Sequence, residues 1–168
     1  HNVPGAKEYT HSIQTLSKAR ETFHSISELP KGARVGIVGA GLSGIELASE
    51  LRESRTDLEI ILYDRGPRIL RNFPEKLSNY IAKWFRENNV NVVPNSLIDK
   101  VEQGTIYNNG TPEPVDIVVW TAGIQPVEIV RKLPIDTNKS GRVIVNQYHQ
   151  VPTYKNVYVV GDCAALPH

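Results

Sequence analysis

A single cysteine, Cys163, is all the thiol chemistry that these 168 residues hold. It rules out an internal disulfide and any paired-cysteine redox motif, and it fits a reducing, cytoplasmic setting. Charge of one sign is also missing. Nineteen basic and 18 acidic residues are interspersed and leave a formal charge of +1, so no basic stripe points to nucleic acid. Long hydrophobic runs are absent: Ile117–Trp120 and Val157–Val160 fall far short of the roughly 20 residues that span a bilayer. The five histidines, His1, His11, His24, His149 and His168, show no metal-ligand spacing, and no metal is expected. No secretory signal opens the chain, so the sequons at Asn109 and Asn138 carry no meaning. Ser43 is followed directly by Gly44, which is not the nucleophile elbow of a hydrolase.

What is present has the composition of an ordinary soluble domain, 40% apolar and 22% charged, about one domain's worth of chain. After a linker, Ile13, Leu16, Ala19, Phe23 and Ile26 fall on one helical face. Arg34–Val38 reads as a buried strand and Leu42–Arg52 as a helix packed closely on a sheet. A second strand follows at Leu58–Tyr63. Pro74 suits a helix start, with Leu77, Ile81, Trp84 and Phe85 as its apolar stripe and Asn88-Asn89 as its end. Val90–Val93 is a third strand. Leu97–Val101 and Thr105–Tyr107, with a turn at Asn109-Gly110, form a small antiparallel meander before a fourth parallel strand, Val115–Trp120. Two further strands are expected at Val143–Val145 and Val157–Val160. The fold class is α/β: a Rossmann-like open parallel sheet with helices on both faces and a small antiparallel meander.

The stretch VGAGLSGIELASEL places Gly39, Gly41 and Gly44 in the GxGxxG pattern between an apolar strand and an amphipathic helix. The triplet alone is weak. It gains weight from Asp64 at the end of the next strand, about 20 residues beyond Gly44, where a ribose-binding acid belongs. Gly39 permits the tight turn, Gly41 leaves room for a pyrophosphate, and Gly44 lets helix and strand lie close. The helix N-terminus then offers free N–H groups and partial positive charge to the diphosphate. A carboxylate at Asp64 accepts both ribose hydroxyls in bonds worth about 1.5–3 kcal/mol. It would repel a 2′-phosphate by up to about 4 kcal/mol per charge pair, so NAD(H) is favoured over NADP(H). Arg65 is the complication, since a guanidinium there can welcome that phosphate; a solvated surface role is the plainer reading.

Four motifs in order, VGAGLSGIELASEL, YDRGPRIL, VDIVVWTAGIQP and GRVIVNQYHQVPTYKNVYVVGDCA, resemble the flavoprotein reductases with two dinucleotide folds, and among them the type II NADH dehydrogenases. The resemblance covers nearly the whole chain. It implies an NAD(P)H-binding domain inserted into an FAD-binding one, with residues 1–30 a linker and helix, 31–135 the NAD(H)-binding Rossmann domain and 136–168 a return into the FAD domain. It implies that Gly39, Ala40, Gly41, Leu42, Ser43 and Gly44 meet the NADH diphosphate. Asp64 and Arg65 would then stand at the ribose, Ala122 and Gly123 beside the nucleotide. Gly161 and Asp162 match an FAD contact, and Pro67, Arg68, Ile69 and Leu70 match a further motif of the family. Glu46 matches a glutamate near the nicotinamide and flavin rings; a first-turn acid favoured by the helix dipole explains it equally well.

Two departures stand out. The glycine motif of the FAD domain itself would precede residue 1, and the continuation after GDCA, with membrane-binding helices in the nearest relatives, lies beyond residue 168. The expectation is therefore hydride transfer from NADH to flavin and on to a quinone-type or protein acceptor in the intact enzyme. This segment alone would be inactive and free of FAD, and the enzyme would be cytoplasmic or peripheral on the cytoplasmic face of a membrane. An NADH-binding regulatory module without turnover and a ferredoxin- or rubredoxin-reductase type remain open. Missing cysteine pairs speak against the disulfide-reductase branches. An exposed edge at Val157–Val160 would invite a homodimer.

Overall fold

A computed structural model describes residues 3–123 and 126–167. Along the chain run α1 (Ala6–Tyr9), α2 (Leu16–Ser27), β1 (Arg34–Val38), α3 (Leu42–Ser54), β2 (Glu59–Tyr63), α4 (Glu75–Glu87), β3 (Val90–Val93), β4 (Ile98–Glu102), β5 (Thr105–Asn108), β6 (Thr111–Pro114) and β7 (Ile117–Trp120), then α5 (Glu128–Arg131), β8 (Val143–Ile144) and β9 (Ala164–Ala165). They fall into two compact units, residues 1–122 and 123–168.

The first unit is built on a parallel sheet of order β3-β2-β1-β7. Register follows from the hydrophobic alternation: Val35 lies opposite Ile60 and Ile117, and Ile37 opposite Leu62 and Val119. Those side chains face Ile26 of α2, Ile45, Ala48 and Leu51 of α3 and Phe85 of α4. The alternate residues, Val38, Ile61, Tyr63, Val118 and Trp120, face Ile98, Val101, Ile106 and Val115 around the meander and Ala6 of α1. Helices thus stand on both sides, the three long ones on one face and the single turn α1 on the other, beside the antiparallel sheet β4-β5-β6. A parallel sheet covered twice needs strands that are apolar at nearly every position, as β7 is. Asn109 and Gly110, at φ 50° and 76°, make the β5–β6 turn with two left-handed residues, the geometry that matches strand twist.

Ile13 and Ile26 by α2, and Ile81, Trp84 and Phe85 on α4, meet the core as their apolar periodicity suggests, but part of each expected stripe stays outside. On α2, Leu16 and Phe23 are exposed (67% and 75%) while Thr22 and Ile26 are buried. On α4, Leu77 is partly exposed while Ser78 and Phe85 are buried. In both cases a small hydroxyl residue occupies the interior. Thr22 Oγ1 lies 2.9 and 2.8 Å from the carbonyl oxygens of Ser12 and Lys18, either of which can accept its one proton, and Ser78 Oγ donates to Ile69 O at 2.7 Å. A hydroxyl satisfied in this way is cheap to bury, and a hydrophobic pattern does not register it.

Arg55 fastens the end of α2 to the α3–β2 turn. Its guanidinium donates to the carbonyls of Ile26 and Leu29, both at 2.9 Å, and to both oxygens of Asp57. The hydrogen bond and the guanidinium charge hold the Asp57 carboxyl down to about 2.

The second unit has a small core of Val143, Val145 and Val151. Here Val157–Val160 departs from expectation. It forms no ladder strand; a single antiparallel bridge joins Tyr158 to Gln150, with Val151 N–H bonded to Val157 O and Val159 N–H to His149 O, both at 2.9 Å. The short parallel pairing is instead between β8 and β9. An apolar run of four residues says only that a segment is wanted inside. Here the amides of Val157 and Val159 bond to the carbonyls of Tyr154 and His149 in the adjoining turns.

Tyr63 is wholly buried, and its hydroxyl donates to Glu113 Oε2 at 2.6 Å, while Asn108 Nδ2 donates to Glu113 Oε1 at 3.1 Å. This network ties the meander to the sheet. Burial, reinforced by the carboxylate, raises the Tyr63 phenol above its usual range. Tyr63→Phe should lower stability by about 1–3 kcal/mol near neutrality. Because the folded-state value is the higher one, the hydroxyl's contribution is complete below the unfolded tyrosine value of about 10 and fades as pH rises beyond it. Urea titrations of both proteins should show the gap narrowing above that pH; a gap independent of pH would contradict the assignment.

Candidate functional site

β1 hands over to α3 at Gly39–Gly44, and each glycine there meets a different constraint. Gly39 has φ 109°, a left-handed backbone that side chains resist, and a Cβ on it would press against Ala122 at 2.9 Å. A Cβ on Gly44 would overlap the Gly39 carbonyl and stand 2.9 Å from Thr121 Oγ1, so α3 lies directly on the strand end. Gly41 is the opposite case: a Cβ there would find nothing within 4 Å. Its bare Cα faces open space at the head of a 13-residue helix that no side chain caps. Uncapped first-turn amides facing a cradle without a side chain form an anion site. Leu42 and Ser43 are exposed at the same place.

Asp64, at the end of β2, reaches this turn. Its Oδ2 accepts from Ala40 N–H and its Oδ1 from Gly66 N–H, both at 2.7 Å. Leu70 N–H donates to Ala40 O at 3.0 Å, so the Ala40 peptide is held at both ends. Each carboxylate oxygen keeps a second lone pair with which to meet sugar hydroxyls. Arg65 is exposed beside it. Ala122 closes the back of the turn, and Gly123, at φ 74°, opens the second unit.

Glu46 is exposed and lies beyond the first turn of α3, which contains no acid. It stands too deep in α3 for the helix dipole to favour it, since that effect fades within one turn. Gly161 and Asp162 are exposed in a single 3-10 turn of the second unit.

Two contributors escape sequence reasoning. Thr121 Oγ1 lies 3.0 Å from the carbonyl oxygens of both Val38 and Gly39 and pins the turn from β7. Arg68 donates to the carbonyls of Leu70, Arg71 and Phe73 at 3.2, 2.9 and 3.1 Å and shapes the loop after Asp64. Arg68 belonged to a quoted motif, but nothing in its spacing reveals a backbone clamp. A separate hollow of about 630 Å³ lies along β3 and α4, with Arg68, Ser78 and Arg86 in its wall, and no glycine-turn residue lines it.

These constraints separate two substitutions of the same kind. Gly44→Ala should cost about 1–3 kcal/mol, because backbone blocks the new methyl. Gly41→Ala should melt within about 1 kcal/mol of wild type, because its methyl enters free space. Thermal melts that rank the two the other way would refute the geometry.

Known proteins bear on this arrangement. The chain is 54% identical over its full length to the NADH dehydrogenase-like protein YutJ of Bacillus subtilis and covers 47% of it. It is 28% identical over 147 residues to a type II NADH:quinone oxidoreductase of Haemophilus influenzae, covering 79% of this chain and 33% of that one. The chain thus spans a third to a half of the length of these relatives. Among solved structures, NDH2 of Plasmodium falciparum in complex with NADH superposes with a TM-score of 0.82 at 18% identity, over 98% of this chain and 41% of that one. A ferredoxin reductase from Rhodopseudomonas palustris gives 0.82 at 21%, over 99% and 41%; at such identities the likeness speaks for the fold. The family model described as pyridine nucleotide-disulphide oxidoreductase matches residues 1–168, and the chain belongs to that family.

Proposed function

We propose that this chain is the NAD(H)-binding part of an FAD-dependent, NADH dehydrogenase-like oxidoreductase. The observation that carries the reading is the bare Gly41 at the uncapped head of α3, with the Asp64 carboxylate held beside it by Ala40 and Gly66. The α3 amides would take the diphosphate and Asp64 the hydroxyls of the adenosine ribose. Bound NADH would supply a hydride, and the work of this chain is to hold and orient its donor. Glu46, exposed one turn into α3, is the side chain we assign to the neighbourhood of the nicotinamide.

The names of the relatives support a quinone-type acceptor for the whole protein. Residues 136–168 serve in this reading as the return into a flavin domain, where Gly161 and Asp162 would touch FAD. Two exposed residues in one short turn give that cofactor a single foothold, so the 168-residue chain should purify without flavin.

Calorimetry tests the reading. The folded chain should bind NADH, and NADPH about tenfold or more weakly. Gly41→Val should fold and lose NADH, since its side chain fills the cradle. A folded wild-type chain that binds neither coenzyme would reject the proposal.

A further inference from the structure

The hollow along α4 and β3 takes no part in the nucleotide reading and does not depend on it. We infer that it is a second ligand site, for a small organic anion: a carboxylate or phosphate head on an apolar body.

Its shape comes from one stripe of α4. Asn79, Ala82, Arg86 and Asn89, the last just past the helix end, follow at spacings of three, four and three. They therefore lie on one side of the helix, and all four wall the hollow. Ala82 is the small member. Its methyl leaves a gap against Val90 and Val92 of β3, where a larger side chain would have closed the helix onto the sheet edge. The gap amounts to about 630 Å³, within the roughly 300–1,000 Å³ of small-molecule sites. Pro67 and Pro94 also stand in the wall, and Asn95 N–H, bonded to Gly66 O at 2.9 Å, ties together the loops that carry them.

The charge of the wall has one sign. No acidic residue belongs to it, whereas Arg68 and Arg86 do. Arg86 makes no hydrogen bond or ion pair among the described residues, and the carboxylate next to it, Glu87, is turned to Lys83 at 3.7 Å. Arg68 donates to the carbonyls of Leu70, Arg71 and Phe73, which fixes its guanidinium and leaves two of its N–H groups for a ligand. The side-chain amides of Asn79 and Asn89 are likewise unengaged by the protein among the described residues. A solvated arginine on an open helix face needs no ligand. Here a fixed guanidinium, a free one and two free carboxamides border one recess, and Ile69, Ala82, Val90 and Val92 give it an apolar lining. The one buried hydroxyl in the wall, on Ser78, is already committed to Ile69 O at 2.7 Å. Water satisfies the cations but gains nothing from the aliphatic side chains. An anion with an apolar body meets both.

Amide NMR of the isotope-labelled chain, titrated with benzoate, phenyl phosphate and inorganic phosphate, tests the inference. At least one aromatic anion should move the amides of Ala82, Arg86, Val90 and Val92, with a dissociation constant of about 1 mM or tighter. Which of the two does so identifies the head as carboxylate or phosphate. Inorganic phosphate, with no body for the apolar lining, should bind at least about tenfold more weakly. Arg86→Gln should weaken the aromatic anion by about tenfold or more, and Ala82→Leu should abolish its shifts by filling the gap. The same spectra report whether each variant is folded; Arg86→Gln, at an exposed position, carries the comparison if Ala82→Leu is not. No shift with either aromatic anion overturns the inference, as do shifts centred on Ala40–Gly44 instead. Equal binding of inorganic phosphate, or binding that survives Arg86→Gln, overturns it as well.

Discussion

Everything in the first unit is organised around the absence of clearance between α3 and the end of β1. Gly44 lies so close to the Gly39 carbonyl that no side chain fits between them. That contact draws the head of the helix onto the strand terminus and aims its first-turn amides past Gly41 into open space. Segments distant in sequence hold the arrangement: Thr121 from β7, Asp64 from β2 and Leu70 from the loop beyond. The turn carries no capping side chain, so its positive end is kept free for a ligand by the same packing that fixes its direction.

Tyr63 and Asp64 show how one strand serves two ends. Successive residues of a strand point to opposite faces. The Tyr63 ring therefore enters the layer under the meander, where Glu113 and Asn108 complete its polar network, while the next residue leaves the sheet and turns to Ala40. The buried phenol anchors the strand end from which the carboxylate projects. Structural and ligand-facing roles are thus separated by a single peptide bond.

Much of this was legible in the residues. The alternation from β1 to β3 appears with boundaries shifted by a few positions, because strongly apolar strands and well-marked ends leave little freedom. The three glycines could be given separate tasks from their spacing, and Gly39, Gly41 and Gly44 meet three different surroundings. Legibility failed where polarity was buried. Thr22 and Ser78 share the inward faces of α2 and α4 by satisfying their hydroxyls against backbone, while Leu16, Phe23 and Leu77 stand further out than their hydropathy implies. Thr121, one residue past the expected strand, carries no signal of its hold on the turn, and Glu46 sits a turn deeper in α3 than its nearness to the glycines suggested. In the second unit, Val157–Val160 carried a strand's composition without a strand's partner, whereas the two alanines of β9 carried no signal at all.

The borders of the parallel sheet bear on how copies of this protein behave together. On one side β7 is shielded: His11 N–H donates to Val118 O and Trp120 N–H to His11 O, both at 2.8 Å. On the other, β3 spans only Val90–Val93, bounded by Asn89 with its left-handed backbone and by Pro94, which has no amide to offer. Bare strand margins act as templates for fibrous stacking, and brevity, proline and covering segments are the usual defences. The parallel sheet of this unit therefore leaves little unpaired ladder with which to seed polymerisation, although it is among the most hydrophobic parts of the chain.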